Sequence, residues 1–158
     1  MTPGASNWLL DTNILSHAIR NPTGPLAIRI QQISEQAPDS LCTSLVVECE
    51  LAFGVRKLGS SRQAASLTSK IETMLQFVAP RAMDSHLAAR YASIRAHLES
   101  LGTTIGPNDT LIAAHALALD CTLVTDNEAE FRRVPGLRVE NWLTVEKDTK
   151  KTASPNLS

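Results

Sequence analysis

The chain has 158 residues, 43% hydrophobic and 20% charged, with 15 Lys and Arg against 16 Asp and Glu for a formal net charge of -1. This is one domain's worth of polypeptide with enough apolar content for a single core. The balance excludes a disordered chain and a polycationic nucleic-acid binder, though not a local basic patch.

In chain order, residues 1–6 form a loose start and 7–10 a first strand, followed at once by a helix over 12–19. Pro25 opens a helix to about 36. A second strand covers 40–43, and Ser44 is the N-cap of a helix to about 58, closed by Gly59. An amphipathic helix covers 62–76, and a third strand, 77–79, stops at Pro80. Asp84 caps a helix over 85–100, and Asn108 caps another over 109–119. Residues 121–125 are a fourth strand, 137–140 a fifth, and 144–158 a polar, frayed tail. The domain is thus 1–143, with its folded body at 7–143. Strands alternating with helices predict an α/β/α sandwich around a mostly parallel sheet of four to five strands.

Other classes are set aside by what the chain lacks. Cys42, Cys49 and Cys121 have no C-x-x-C spacing, and each sits in an apolar run. They predict buried free thiols in a reducing compartment. His17, His86, His97 and His115 are scattered, which argues against structural zinc. No apolar run approaches the ~20 residues of a membrane span, and no basic segment precedes a long apolar stretch near the start. A cytoplasmic location without membrane contact is expected.

The acids carry the chemistry. Asp11 directly follows the first strand and Asp126 the fourth, and ligands of an open α/β sheet bind outside the carboxyl ends of its strands. Asp109 stands at the start of a helix. Taken singly, each of these acids also fits helix capping. Glu48 and Glu50 sit in a helix that is apolar nearly all round, where an acid needs a partner or a metal. At about 100° per residue the two point about 200° apart, so they cannot share a site. Gly54, four residues after Glu50, would let another element approach that face.

No Lys or Arg lies close in sequence to Asp11, Glu50, Asp109 or Asp126. If they converge, two carboxylates about 4 Å apart repel by about 4 kcal/mol at an effective dielectric of about 20. Shared protons or a divalent cation must relieve this. An all-oxygen donor set favours Mg²⁺ or Mn²⁺ over zinc, and such ions serve phosphodiester hydrolysis.

Five blocks in order resemble a PIN domain of the VapC toxin-ribonuclease type. They are Leu9-Leu10-Asp11-Thr12-Asn13, Glu50-Leu51-Ala52-Phe53-Gly54-Val55, Ile105-Gly106-Pro107-Asn108-Asp109, Leu111-Ile112-Ala113-Ala114-His115-Ala116, and Leu123-Val124-Thr125-Asp126-Asn127 with 131–137. The resemblance spans about 8–142. It implies that Asp11, Glu50 and Asp109 are three of the family's acids and that Asp126 or Asn127 is the fourth, with Glu130 a more distant option. It further implies that Asp11, Glu50, Asp109 and Asp126 hold Mg²⁺ or Mn²⁺. Thr12 and Asn13 would orient Asp11 by hydrogen bonds, with Ser44 and Thr125 as further support. Glu48 has no role carried over and is read as structural or at an interface.

The implied activity is endonucleolytic cleavage of structured RNA, transfer or ribosomal. The implied partners are a VapB-type antitoxin and a second copy of the chain. Between residues 51 and 98 seven basic residues face only two acids, Glu72 and Asp84. Arg56 and Lys57, just after the Glu50 helix, are the favoured RNA contacts. The six aromatic residues are too few for base stacking to dominate. A phosphatase of the haloacid-dehalogenase type needs Asp-x-Asp where this chain has Asp11-Thr12-Asn13. The remaining alternative is a non-catalytic PIN-like module that binds RNA or protein.

Overall fold

The computed structural model describes residues 7–143; the loose start at 1–6 and the polar tail at 144–158 lie outside them. Five strands form one sheet: β1 (Trp8–Leu10), β2 (Leu41–Ser44), β3 (Ala79–Arg81), β4 (Thr122–Val124) and β5 (Val139–Glu140). Their order is β3-β2-β1-β4-β5, and every pairing is parallel. The chain steps outward from β1 to β3, then returns to place β4 on the other side of β1. The order therefore reverses between β1 and β4, where Leu9 pairs with Leu123 and Leu10 with Val124. In sheets of this kind that reversal opens a crevice at the carboxyl ends of the strands.

Seven helices flank the sheet among the described residues: α1 (Thr12–Arg20), α2 (Pro25–Gln36), α3 (Leu45–Arg56), α4 (Arg62–Phe77), α5 (His86–Ser100), α6 (Pro107–Ala118) and α7 (Glu128–Phe131). Strands buried on both faces require apolar residues in succession, and Leu9, Leu10, Leu123 and Val124 are fully buried. Ile14 and Leu15 from α1, Val47 from α3, Ile112 from α6 and Phe131 from α7 close over them, each at most 1% exposed. Among the described residues no helix is long and apolar enough to cross a membrane.

Several expectations shift. The strand predicted at 77–79 is β3 at Ala79–Arg81. Its start moves because α4 keeps its helical period through Ile71, Met74 and Phe77. Pro80 sits inside the strand, in register with Thr43. That is tolerable because β3 is an edge strand and a missing N–H breaks no second ladder. Asn108 is not a cap: Gly106 is, and Pro107 takes the first position of α6. This makes Asp109 the third helical residue. Helix α3 ends at Arg56 rather than 58, with Gly59 at φ +66° in the turn beyond. The four-residue α7 has no counterpart among the predicted elements.

Nor is α3 buried all round. Leu45 is 40% and Phe53 64% exposed, and Cys49 lies exposed between them at the same helical spacing. Cys49 is therefore not the buried thiol that its apolar run suggests. Cys42 and Cys121 are buried, with Sγ atoms 3.9 Å apart. No element approaches Gly54, since a Cβ built there would meet nothing within 4 Å. The space beside the Glu50 face is open.

Candidate active site

Asp11 ends β1, and its backbone N–H continues the ladder by donating to the Val124 carbonyl at 3.0 Å. Its side chain caps α1, accepting from the Ile14 N–H at 3.0 Å, and it accepts a second bond from Thr125. The residue is 4% exposed. Burial pushes its carboxyl from 3.8 to about 6, helped by the charges of Asp126 and Asp109 and opposed by the Thr125 and Ile14 bonds. Capping thus accounts for one oxygen of Asp11 without accounting for its burial among other acids.

Asp109 comes in from the first turn of α6. Burial raises its carboxyl above the ordinary 3.8, and the charges of Glu130 and Glu50 raise it further. Glu50 reaches in from the second turn of α3, and its Oε1 is buried with no hydrogen-bond partner. These three acids line one cavity of about 60 Å³ with Thr12, Asn13 and Asn127, and with Ile112 and Phe131 as its apolar members. The ion pairs described, Arg95–Glu99, Arg132–Glu128 and Arg138–Asp120, involve none of these acids.

The fourth position is divided. Asp126 is exposed and does not line the cavity, although its charge reaches Asp11. Asn127 lines the cavity, anchored by its backbone N–H on Thr125 Oγ1 at 3.0 Å, and its Nδ2 donates to Glu130 Oε2 at 3.0 Å. Glu130 in turn raises Asp109. Its position three residues after Asn127, across one turn of α7, is the sequence signal that gives it more weight. Glu130→Gln, which can keep the Asn127 contact, should let the Asp109 carboxyl titrate closer to 3.8; carboxyl NMR titration reads this directly. An unchanged Asp109 titration would remove Glu130 from the site.

The supporting residues differ from expectation. Asn13 donates to Asp126 Oδ1 at 3.2 Å rather than to Asp11, and Thr12 Oγ1 is buried without a partner. Ser44 does not touch Asp11. Its hydroxyl caps α3 by accepting from the Val46 N–H at 3.2 Å and lies 2.8 Å from His115 Nδ1. Of the four, Thr125 alone bonds Asp11. Arg56 and Lys57 are both exposed and do not line the cavity, with Lys57 Nζ 5.1 Å above the Phe53 ring.

A parallel α/β/α sandwich with carboxylates gathered at the crevice beside its first strand is the architecture of a PIN domain, and the PIN domain family model matches residues 8–137. The chain is 34% identical over 135 residues to Ribonuclease VapC2 of Rickettsia felis, covering 85% of this chain and 97% of that protein. It is 32% identical over 136 residues to the tRNA(fMet)-specific endonuclease VapC of Salmonella typhimurium, with the same coverage. Among solved structures, VapBC2 from Rickettsia felis bound to a promoter DNA fragment superposes with a TM-score of 0.77 at 33% identity, over 85% of this chain and 98% of that one. DNA-bound VapBC from Salmonella typhimurium gives 0.76 at 29% identity, over 87% and 98%. The chain belongs to the PIN-domain family, in its VapC branch.

Proposed function

We propose that the protein is a divalent-metal-dependent endoribonuclease toxin that cuts structured RNA, transfer or ribosomal, and is neutralised by a VapB-type antitoxin. The observation that carries this reading is the meeting of Asp11, Glu50 and Asp109, from three distant segments, in one cavity with a buried Glu50 oxygen that bonds to nothing. An acid burial of this kind is costly unless something positive is held there.

The donor set fits Mg²⁺ or Mn²⁺ in kind, being all oxygen. Among the described residues no three His, Cys, Asp or Glu side chains are drawn together tightly enough to hold an ion by themselves. Mg²⁺ is commonly bound in just that way, by one or two carboxylates with waters and substrate phosphates completing the shell. Asp11, Glu50 and Asp109 would hold it, with Asp126 or Asn127 at the fourth corner. A bound cation would offset the mutual repulsion of the acids and the charge of the scissile phosphate.

The chain's own residues would do the rest. Thr125 and the Ile14 N–H fix the Asp11 carboxylate. One of the cavity's acids would accept the proton of the attacking water. The water oxygen would bond to phosphorus, the bond from phosphorus to the 3′ oxygen would break, and that oxygen would take up a proton from solvent, giving 5′-phosphate and 3′-hydroxyl ends. Asn127 and Glu130 hold the opposite wall.

Arg56 and Lys57 would grip the RNA backbone. The Arg56→Ala, Lys57→Ala pair should weaken RNA binding. It should also flatten the salt dependence by about 0.7 for each single-strand phosphate no longer neutralised; filter binding across a salt series measures it. The exposed Phe53 and Leu45 on α3 support a partner surface, whether for an antitoxin or for a second copy in a homodimer. The solved complexes of relatives are of VapC with VapB.

The test is cleavage of total cellular RNA by purified protein. EDTA should stop it, and Mn²⁺ or Mg²⁺ should restore it. Cleavage undiminished by EDTA would overturn the metal assignment, and RNA binding without cleavage at saturating Mg²⁺ would favour a non-catalytic module.

A further inference from the structure

Two helices bring Glu50 and Asp109 together, and α3 packs directly on α6. Glu50 lies six positions after Ser44 along the chain, and Asp109 six positions before His115. Ser44 meets His115 at 2.8 Å, while Glu50 and Asp109 line the same cavity, where the Glu50 charge acts on Asp109. Both pairs therefore tie the start of α3 to α6, and on each helix the two positions lie about 9 Å apart in rise at about 1.5 Å per residue. We propose that the Ser44–His115 hydrogen bond is a positioning contact that sets the axial register of α3 against α6, and so fixes how Glu50 faces Asp109. The proposal rests on the reading of this cavity as the catalytic centre.

The burial of the pair argues for such a role. Ser44 is 0% and His115 2% exposed. The Ser44 hydroxyl already accepts from the Val46 N–H, which leaves its own proton to donate to Nδ1 of a neutral ring. Burial lowers the ring's pKa, against a smaller opposing effect of the Ala82 backbone, and keeps it neutral. The other ring nitrogen, Nε2, is buried without completing a hydrogen bond. A leucine would fill this place without stranding a polar atom. The ring nitrogen that is used is the one that reaches the cap of the other helix. A slip of one residue, about 1.5 Å along the axis, would break a 2.8 Å bond and displace the two acids by the same amount.

Two substitutions at His115 separate this role from simple packing. Asn is the smaller residue, but its amide stands where Nδ1 stood and can keep the bond to Ser44. Gln fills the volume better, but places its amide near Nε2. Packing alone predicts that Gln is the milder change; register control predicts that Asn is. For His115→Gln we expect Mn²⁺ affinity, measured by isothermal titration calorimetry, to fall about tenfold, the scale of losing a partner that orients metal-binding residues. The kcat on RNA should fall with it, and KM should hold. Crystal structures of the metal-free variants should show α3 shifted along α6 in Gln and in place in Asn. The proposal is overturned if Gln keeps the parental register, or if Asn shifts as far as Gln. Absence of Mn²⁺ binding by the parent protein would sink the functional reading alone, because the metal-free structures still decide the register.

Discussion

Asp11→Asn is expected to abolish RNA cleavage and at the same time to raise the melting temperature. The sign follows from the raised carboxyl. Between 3.8 and about 6 the folded state holds a proton that the unfolded state has released. Stability therefore falls as pH rises through that window, and the full cost is present at pH 7. That cost is on the order of 3 kcal/mol, from about 1.36 kcal/mol per pKa unit. An asparagine removes it, and its side-chain oxygen can still accept from the Ile14 N–H to cap α1. The metal-free variant should melt higher than the parent by roughly 6–12 °C at pH 7, and by little or nothing at pH 4. Cleavage should drop more than about a hundredfold, beyond the loss of a mere orienting partner. A melt at the two pH values, with an RNA cleavage assay beside it, checks both halves. Parental cleavage by the purified variant would remove Asp11 from the chemistry. Equal melting of the two proteins at pH 7 would mean that its burial carries no such cost.

Phe131→Ala should have the largest effect on stability, a loss of about 3–5 kcal/mol. The ring is 1% exposed and is the one buried side chain of α7. A four-residue helix has almost no stability of its own, so this ring is what holds Asn127 and Glu130 against the cavity. The same substitution should therefore release Asp109 from the Glu130 charge and lower its titration. Phe131→Leu, which refills much of the space, should recover most of both. A melting temperature for the Ala variant within roughly 3 °C of the parent would refute the packing argument.

Much of the fold is legible in the sequence because β1 and β4 are short apolar runs closed by a polar residue, and because α1 and α4 carry a clear helical period. The errors have local causes. Pro80 reads as a stop, yet an edge strand tolerates it; Phe77 reads as strand, yet it completes the inner face of α4. Helix α7 is too short to show any period. In the site, Asp11 and Asp126 are visible as acids after strands, and Glu50 as an acid in an apolar helix. Asp109 reads as a residue just past a cap at Asn108, but Gly106 and Pro107 start that helix and carry it one turn inward. The partner of Asn13 is not legible at all. Nearness in the chain suggests Asp11, two residues away, but the turn into α1 sends its amide to Asp126, 113 residues on. Contacts of that span follow from the order of the strands, which periodicity does not encode.

That strand order also governs when the site comes into being during synthesis. Asp11, Glu50 and Asp109 are all made before Thr125, which fixes Asp11, and Asn127, which lines the same cavity. Until β4 slots in beside β1, a nascent polypeptide has three of the carboxylates but neither the hydroxyl that fixes Asp11 nor the cavity wall that Asn127 supplies. A truncated product ending before residue 122 would thus lack the finished pocket and is expected to be inert.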